Sequence, residues 1–356
     1  MKLLANTLTN TDSYGAFFEP LVQLIKPHFR SDLTSAKVTS VSLNDNFMTI
    51  ELKVSARRFR FKAGQHIQLY ILRDGRYISR CFSPASSPQQ LKQRRTITLG
   101  MRINPKGQMT SWLAKHLKVG DYLSLGPASG DFVLDTTERR RVFVAGGSGI
   151  TPILAMLESL GEAELRSSTL LYSTRNTNPL PFQNTMNRLK ARGLTLVLHN
   201  SAKEGRISKQ HLDTLNLNQK CALYVCGPSG MITLCEDYWQ SHQLAPNHLH
   251  FESFGGTSKL NAQVEGDLPQ SATIHFANSQ RQGIWLNAAR TPLLDFAEQQ
   301  GLTPSFGCRI GVCHQCTCKK QSGRVINLKT GEVSDSGPES IQLCQSLPLE
   351  DLTLDL

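Results

Sequence analysis

Four cysteines crowd into the stretch 306–318, FGCRIGVCHQCTC: Cys308, Cys313, Cys316 and Cys318. Three of them follow C-x4-C-x2-C, and a further thiol, Cys344, follows Cys316 with 27 residues between them. Thiolates are strong ligands for soft metals. A tight loop carrying three of them, met by a fourth from elsewhere, can enclose a metal centre. Gly307 and Gly311 let the backbone turn closely round that point. A zinc site would show paired C-x2-C knuckles, and only Cys313 and Cys316 form one. Buried structural thiols would not explain four cysteines in one polar, glycine-containing loop.

C-x4-C-x2-C with a distant fourth Cys is the spacing that holds a two-iron, two-sulfide cluster. It makes Cys308, Cys313, Cys316 and Cys344 the expected ligands. Cys318 opens the strand-like run CTCKKQSGRVI and reads as a packed thiol; a ligand role is the alternative. Upstream, ATIHFANSQRQGIWLN holds two β-rich runs around a turn. TPLLDFAEQQG places Leu293, Leu294 and Ala297 at helical spacing, with Gly301 as terminator. On these features, 273–356 resembles a plant-type ferredoxin domain, which implies a β-grasp (α+β) fold.

The rest of the chain must account for the electrons. In RRVFVAGGSGITPILAMLESL, 140–160, an apolar strand enters a glycine-rich turn and then an amphipathic helix. Thr151 is expected to N-cap that helix, with Pro152 at its first position. Gly147 and Gly149 allow a phosphate close to free backbone N–H groups at the helix start. The turn is not G-x-G-x-x-G, because Pro152 stands where the last glycine would be. Two further stretches flank it: RCFSPASSP at 80–88 and YVCGPSGM at 224–231.

These three ordered stretches, followed by the cysteine loop, resemble the ferredoxin–NADP reductase superfamily over 36–356. The resemblance implies a multidomain chain. An antiparallel flavin-binding β-barrel (36–135) would precede an α/β parallel-sheet nucleotide domain (136–255), a linker (256–272) and the ferredoxin domain (273–356). KVTSVSLND, MTIELKV, HIQLYILRD, TITLGMRI and YLSLGPAS supply alternating strands for the barrel. RVFVAG, STLLYS, LTLVLHN and ALYVCG supply the parallel sheet.

The same resemblance implies site residues. Arg80 would pair with FAD phosphates, Phe82 would lie against the flavin ring, and Ser83 would hydrogen-bond its reactive nitrogen. The family usually has Tyr where this chain has Phe82; stacking survives that change and a hydroxyl contact does not. GQMTSWL, 107–113, resembles a phosphate-binding turn, with Gly107, Met109 and Thr110 facing the pyrophosphate; an ordinary barrel-capping helix is the alternative. Cys226, followed by Gly227 and Pro228, would sit just beyond a strand end beside the nicotinamide. Phe254, in FESF, would pack near the flavin or in the core. Ser173 and Arg175 in YSTRN, with Arg206, would receive a 2′-phosphate. That favours NADPH over NADH; the alternative is that the arginines are surface charges.

Composition fits this reading. The formal charge is +11, yet 273–356 holds seven Lys/Arg against eight Asp/Glu, leaving 32 against 20 elsewhere. A basic body suits phosphate-bearing cofactors, an acidic protein or an anionic membrane surface. No nucleic-acid module accompanies it, so nucleic acid is not an expected partner. No apolar run reaches the roughly 18–20 residues that cross a bilayer, and MKLLANTLTNTD breaks its apolar start at Asn6. A cytoplasmic protein is expected, with peripheral contact at the inner membrane surface as a variant. Residues 1–35 add YGAFFEPLVQLIKPHF, a helical segment that packs on the barrel or docks a partner.

The function implied is an NAD(P)H-dependent reductase. Two electrons enter as hydride, FAD splits them, and the [2Fe-2S] cluster passes them singly to an iron enzyme. The N-terminal addition resembles reductases of membrane fatty-acyl desaturases. A soluble oxygenase or hybrid-cluster protein is the alternative acceptor. From another class, a redox-sensing iron–sulfur protein with vestigial flavin domains would lack NAD(P)H-driven turnover.

Overall fold

A computed structural model describes residues 19, 21–24, 30–73, 76–105, 107, 109–135, 140–175, 180–254, 268–307, 311, 314–328 and 330–356. The chain divides into two compact units, Met1–Glu252 and Ser253–Leu356.

The first unit opens with six strands: β1 (Thr34–Asn44), β2 (Phe47–Val54), β3 (His66–Arg73), β4 (Arg76–Phe82), β5 (Thr96–Arg102) and β6 (Tyr122–Ser129). They form an antiparallel sheet in the order β4-β3-β6-β1-β2-β5. Alternation decides which face is inside. On β3, Ile67, Leu69 and Ile71 are buried, while Gln68 and Tyr70 between them are half-buried. The edge strands meet just past β4. Pro84 bridges to Leu99 on β5, and Ala85 N–H donates to the Thr98 carbonyl at 2.8 Å. That closure makes the sheet a barrel and removes its open edges. The helix α1 (Pro88–Arg94) follows at once, capped by Ser87, whose hydroxyl accepts from Gln90 N–H, with Pro88 in its first turn. The helix α2 (Thr110–His116) buries Leu113 against the barrel core.

A second sheet follows in the same unit. Its strands are β7 (Arg140–Gly146), β8 (Thr169–Thr174), β9 (Thr195–Asn200), β10 (Cys221–Gly227) and β11 (Leu249–Ser253), in the order β11-β10-β7-β8-β9. β10, β7, β8 and β9 run parallel. The central strands read as unbroken apolar runs because both faces are covered: Val142, Phe143, Val144 and Ala145 are all buried. The connecting helices are α3 (Ile150–Ser159), α4 (Glu162–Arg166), α5 (Gln183–Ala191), α6 (Lys209–Asp213) and α7 (Ser229–Ser241). The chain runs β7, β8, β9 to one side and then returns to place β10 on the other side of β7. The strand order therefore reverses between β7 and β10, where open α/β sheets form a crevice at the strand C-termini.

The second unit holds β12 (Ser271–Phe276), β13 (Arg281–Leu286), α8 (Leu293–Gln299), β14 (Thr317–Ser322), β15 (Val325–Asn327), β16 (Glu339–Gln342), β17 (Ser346–Pro348) and β18 (Leu352–Leu354). Five strands pair in the order β13-β12-β18-β14-β16, and β15 pairs with β17. Only β12 and β18 run parallel; α8 buries Leu293, Leu294, Phe296 and Ala297 in the core beneath. Leu268 is buried in the same core, so this packed unit reaches back into the stretch read as linker. The single run expected from Thr317 onward is two strands. Gly323 breaks it at φ +84°, where an added Cβ would strike the Asp351 carbonyl.

Near the N-terminus, residues 21–24 are helical and Glu19 accepts hydrogen bonds from Ser31 N–H and its hydroxyl, both at 2.9 Å. The remainder of the helix expected there, and most of the expected linker, lie outside the described residues. Among the described residues, no helix is long and apolar enough to cross a membrane.

Candidate active site and cluster ligands

The glycines of the two strand ends fit one another. At Gly149, a Cβ would collide with the Cys226 carbonyl oxygen and lie 2.8 Å from Gly227 N. At Gly227, it would lie 3.1 Å from the Gly146 backbone. So the turn after β7 and the end of β10 approach so closely that Gly149 has no room for a side chain, and a Cβ at Gly227 would press on Met231 and the Gly146 backbone. Gly147, at φ +54°, has open space where a Cβ would go. The turn leads through a short 3-10 segment, Gly147–Gly149, into α3. Here the expectation is corrected: α3 begins at Ile150, Gly149 is its N-cap residue, and Thr151 and Pro152 lie one and two places inside. The Thr151 hydroxyl donates to the Ser148 carbonyl at 3.1 Å. The 3-10 turn starts the helix earlier than the capping residue alone suggested, and Pro152 is tolerated because first-turn N–H groups have no intrahelical acceptor.

Cys226 is the penultimate residue of β10, paired with Ala145 of β7, rather than just beyond the strand. It is fully buried. Burial first, and then the Glu252 negative charge, push its thiol well above its ordinary value. It is a neutral thiol, not a nucleophile.

Glu252 links the end of the second sheet to the first. Its Oε1 lies 3.1 Å from His66 Nδ1, at the start of β3. Its Oε2 lies 3.5 Å from the Ser83 hydroxyl, just past β4. The far side of the His66 ring continues the network, with Nε2 3.0 Å from the Ser129 hydroxyl. Ser83, His66 and Cys226 are buried, and Glu252 is nearly so. One carboxylate thus faces a hydroxyl and an imidazole from the barrel and a thiol from the parallel sheet. Sequence reasoning named Ser83 and Cys226 and missed Glu252 and His66. The available signals were an acid inside FESF and a histidine heading an alternating strand.

The other expected residues fall as follows. Arg80 and Phe82 are both half-buried on β4, and an Arg80 guanidinium nitrogen donates to the Ser79 carbonyl at 2.7 Å. Thr110 accepts from Asn104 N–H at 3.0 Å, closing the loop that contains Gly107; Met109 is buried in the barrel core. Arg175 and Arg206 are exposed in the loops that follow the C-terminal ends of the parallel neighbours β8 and β9. Ser173 does not join them at the surface. It is buried, and its hydroxyl lies 3.0 Å from His199 Nδ1 on β9. Phe254 is half-buried one residue past β11.

In the second unit, Cys316 and Cys344 face each other as buried thiols, their sulfurs 3.1 Å apart. They come from different elements: Cys316 precedes β14, and Cys344 lies in a short 3-10 turn after β16. The Leu343 N–H donates to the Cys316 carbonyl at 3.1 Å and holds the two segments in register. Two thiols converging from different elements suit a thiolate-ligated cluster. Cys308 and Cys313 lie outside the described residues. Cys318 points elsewhere: its sulfur is 3.4 Å from the Lys319 carbonyl and 3.7 Å from the Asp355 carbonyl, and burial pushes its thiol up to about 11.

Comparison with known proteins agrees with this architecture. The family description "Oxidoreductase FAD-binding domain" matches residues 32–133, "Oxidoreductase NAD-binding domain" matches 143–237, and "2Fe-2S iron-sulfur cluster binding domain" matches 277–349. The chain is 30% identical to an NADPH oxidoreductase of Mycobacterium tuberculosis, over 84% of this chain and 77% of that one. It is 28% identical to a component of the 1,2-phenylacetyl-CoA epoxidase of Escherichia coli, over 91% of this chain and 96% of that one. Its fold matches phthalate dioxygenase reductase with a TM-score of 0.63 and 22% identity, covering 91% and 98% of the two chains. The chain therefore belongs to the ferredoxin–NADP reductase superfamily, in the branch that carries a [2Fe-2S] ferredoxin domain. It is an oxidoreductase that uses a pyridine nucleotide, FAD and a two-iron cluster.

Proposed function

We propose that this chain supplies electrons from NADPH to an iron-dependent oxygenase. The observation that carries the reading is the convergence of Ser83 and Cys226, from two different sheets, on Glu252. FAD, when bound, supplies the conversion of a hydride into single electrons that an iron centre accepts. Arg80, Phe82 and Ser83 offer a cation, an aromatic face and a hydroxyl, the donor set an FAD would need at the barrel edge. Gly107, Met109 and Thr110 shape the turn for its pyrophosphate. Gly149 and Gly227 let the ends of β7 and β10 close on one another, Gly147 leaves open space at the turn where a dinucleotide phosphate would lie, and neutral Cys226 would sit near the nicotinamide without reacting with it. Cys308, Cys313, Cys316 and Cys344 hold the cluster.

Arg175 and Arg206 support NADPH, since two exposed cations stand on the edge where a 2′-phosphate would lie. One relative is itself an NADPH oxidoreductase. Ser173 is not part of this set, because its hydroxyl faces His199. An oxygenase as acceptor is supported by relatives that are reductase components of 3-ketosteroid-9-alpha-monooxygenase and phthalate 4,5-dioxygenase. A membrane desaturase is a second reading. It is favoured by Leu21 and Leu24, 60% and 81% exposed on the N-terminal helix, where an apolar or membrane-bound partner would cover them.

Capture on immobilised holoprotein, followed by NADPH-driven reduction of the captured enzyme, distinguishes the two. Recovery and reduction of a soluble iron oxygenase supports the first reading. Reduction only of a desaturase in the membrane fraction overturns it.

A further inference from the structure

At the β9 side of the parallel sheet, three ligand-bearing residues converge: His199 on β9, Glu204 in the loop after it, and His211 on α6. One ligand atom from each lies within 4.8 Å of the other two. The two imidazoles meet edge to face, with ring centres 4.7 Å apart. His199 is 1% exposed and its Nε2 is buried with no hydrogen-bond partner. A buried ring nitrogen left unpaired costs free energy on the order of 1–3 kcal/mol, so this atom calls for a ligand. Nothing in the reductase chemistry uses it.

We propose that His199, Glu204 and His211 form a binding site for a divalent cation of the zinc class. The donor set is two imidazoles and one carboxylate, which suits zinc, nickel, cobalt or copper and not the harder magnesium or calcium.

Each side chain is already held for the task. Nδ1 of His199 stands 3.0 Å from the Ser173 hydroxyl. With the proton on Nδ1, it donates to Ser173 and turns the Nε2 lone pair inward, the arrangement in which ligating histidines are usually fixed. Burial lowers the His199 pKa, outweighing the opposing effect of Glu204 and joined by the repulsion of His211. The ring is therefore neutral, as a ligand must be. Glu204 is held by Asn200 N–H, which donates to its Oε1 at 2.8 Å, leaving the other oxygen for a metal. His211 Nδ1 accepts from Ser208 N–H at 3.1 Å and lies 2.9 Å from the Ser208 hydroxyl. For Nε2 to ligate, the proton moves to Nδ1, which then donates to that hydroxyl. Binding thus gives up one N–H bond at the start of α6.

Metal–nitrogen and metal–oxygen distances of about 2.0–2.2 Å require the ligand atoms to draw somewhat closer than they stand. Glu204 is exposed on a short loop and can make that adjustment. The ion would tie the 201–208 loop, which carries Arg206, to β9 and α6.

The test uses the full chain with FAD and cluster loaded, titrated with zinc chloride in a calorimeter. X-ray absorption at the zinc edge then identifies the ligands. About one zinc per chain is expected, bound through imidazole and carboxylate with no sulfur. His211→Gln and Glu204→Gln should each weaken binding by at least about tenfold, the effect that losing even an outer-shell partner has. Glu204→Gln is the safer variant for folding, because the residue is exposed. Zinc bound through sulfur, or unchanged affinity in folded Glu204→Gln and His211→Gln proteins, would overturn the proposal. So would zinc affinity no stronger than that of a chain lacking both side chains.

Discussion

Two buried cysteines, Cys316 just before β14 and Cys318 within it, sit two residues apart and face different worlds. Cys316 meets another thiol, Cys344, at 3.1 Å. Among the described residues, Cys318 meets the Lys319 and Asp355 carbonyl oxygens, and burial raises its thiol. Cys226 in the parallel sheet resembles Cys318: buried, solitary and strongly protonated. Burial by itself raises a thiol's pKa and makes it inert. Convergence with other thiols, in a loop able to surround an ion, is what makes a ligand. The cysteines of this chain therefore divide by what they face and not by how deep they lie.

That division is most sharply broken by substitution. Cys316→Ser should abolish the cluster, seen as loss of labile sulfide and of the visible iron–sulfur absorption. Cys318→Ser should retain it. Loss of the cluster from Cys318→Ser would show that carbonyl-facing geometry does not exclude a ligand role.

Gly149→Ala asks whether the nucleotide cradle depends on backbone approach. The new Cβ meets the Cys226 carbonyl, so β7 and β10 must part. Overpacking of this kind costs about 1–3 kcal/mol, and KM for NADPH should rise while flavin content is kept. A KM equal to that of the parent would remove the cradle from the account.

Arg175→Ala should act toward only one nucleotide. Losing a charge-assisted contact to a 2′-phosphate removes about 1.5–3 kcal/mol. KM for NADPH should rise and KM for NADH should stay nearly unchanged. Equal effects on both would leave Arg175 as a surface charge.

The smallest effect concerns pH. Cys235, like Cys318, has its thiol raised by burial, to about 12 against an ordinary 9.0. The folded chain holds these protons where the unfolded chain releases them. Stability should therefore be flat below about pH 8.5 and fall as pH climbs further, as a denaturant series at pH 7 to 10 would show. Stability rising over that range would contradict buried, protonated thiols.

Much of this was legible in the sequence, for physical reasons that differ by element. β7 and β10 read clearly because strands covered on both faces are apolar without interruption. β4 was less visible as a strand, since its Arg76–Phe82 stretch mixes charge and polarity beside a binding edge. The cluster spacing was visible because three ligands must come from one short loop. Glu252 and His66 were not visible as a pair, because 186 residues separate them and only the packing of two sheets brings them to 3.1 Å. Ser173 looked like a phosphate ligand beside Arg175, yet Ser173 lies within β8 while Arg175 lies past its end at Thr174, and the Ser173 hydroxyl turned inward to His199.

The central claim is a linear route from nucleotide through FAD and the cluster to the acceptor. Cys344→Ser tests it directly, by comparing two NADPH-driven assays on the same purified protein. Ferricyanide, which takes electrons from flavin, should be reduced at close to the parent rate. Cytochrome c, which takes them through the ferredoxin unit, should fall to background. Cytochrome c reduction at the parent rate in a protein shown to lack its cluster would contradict the route.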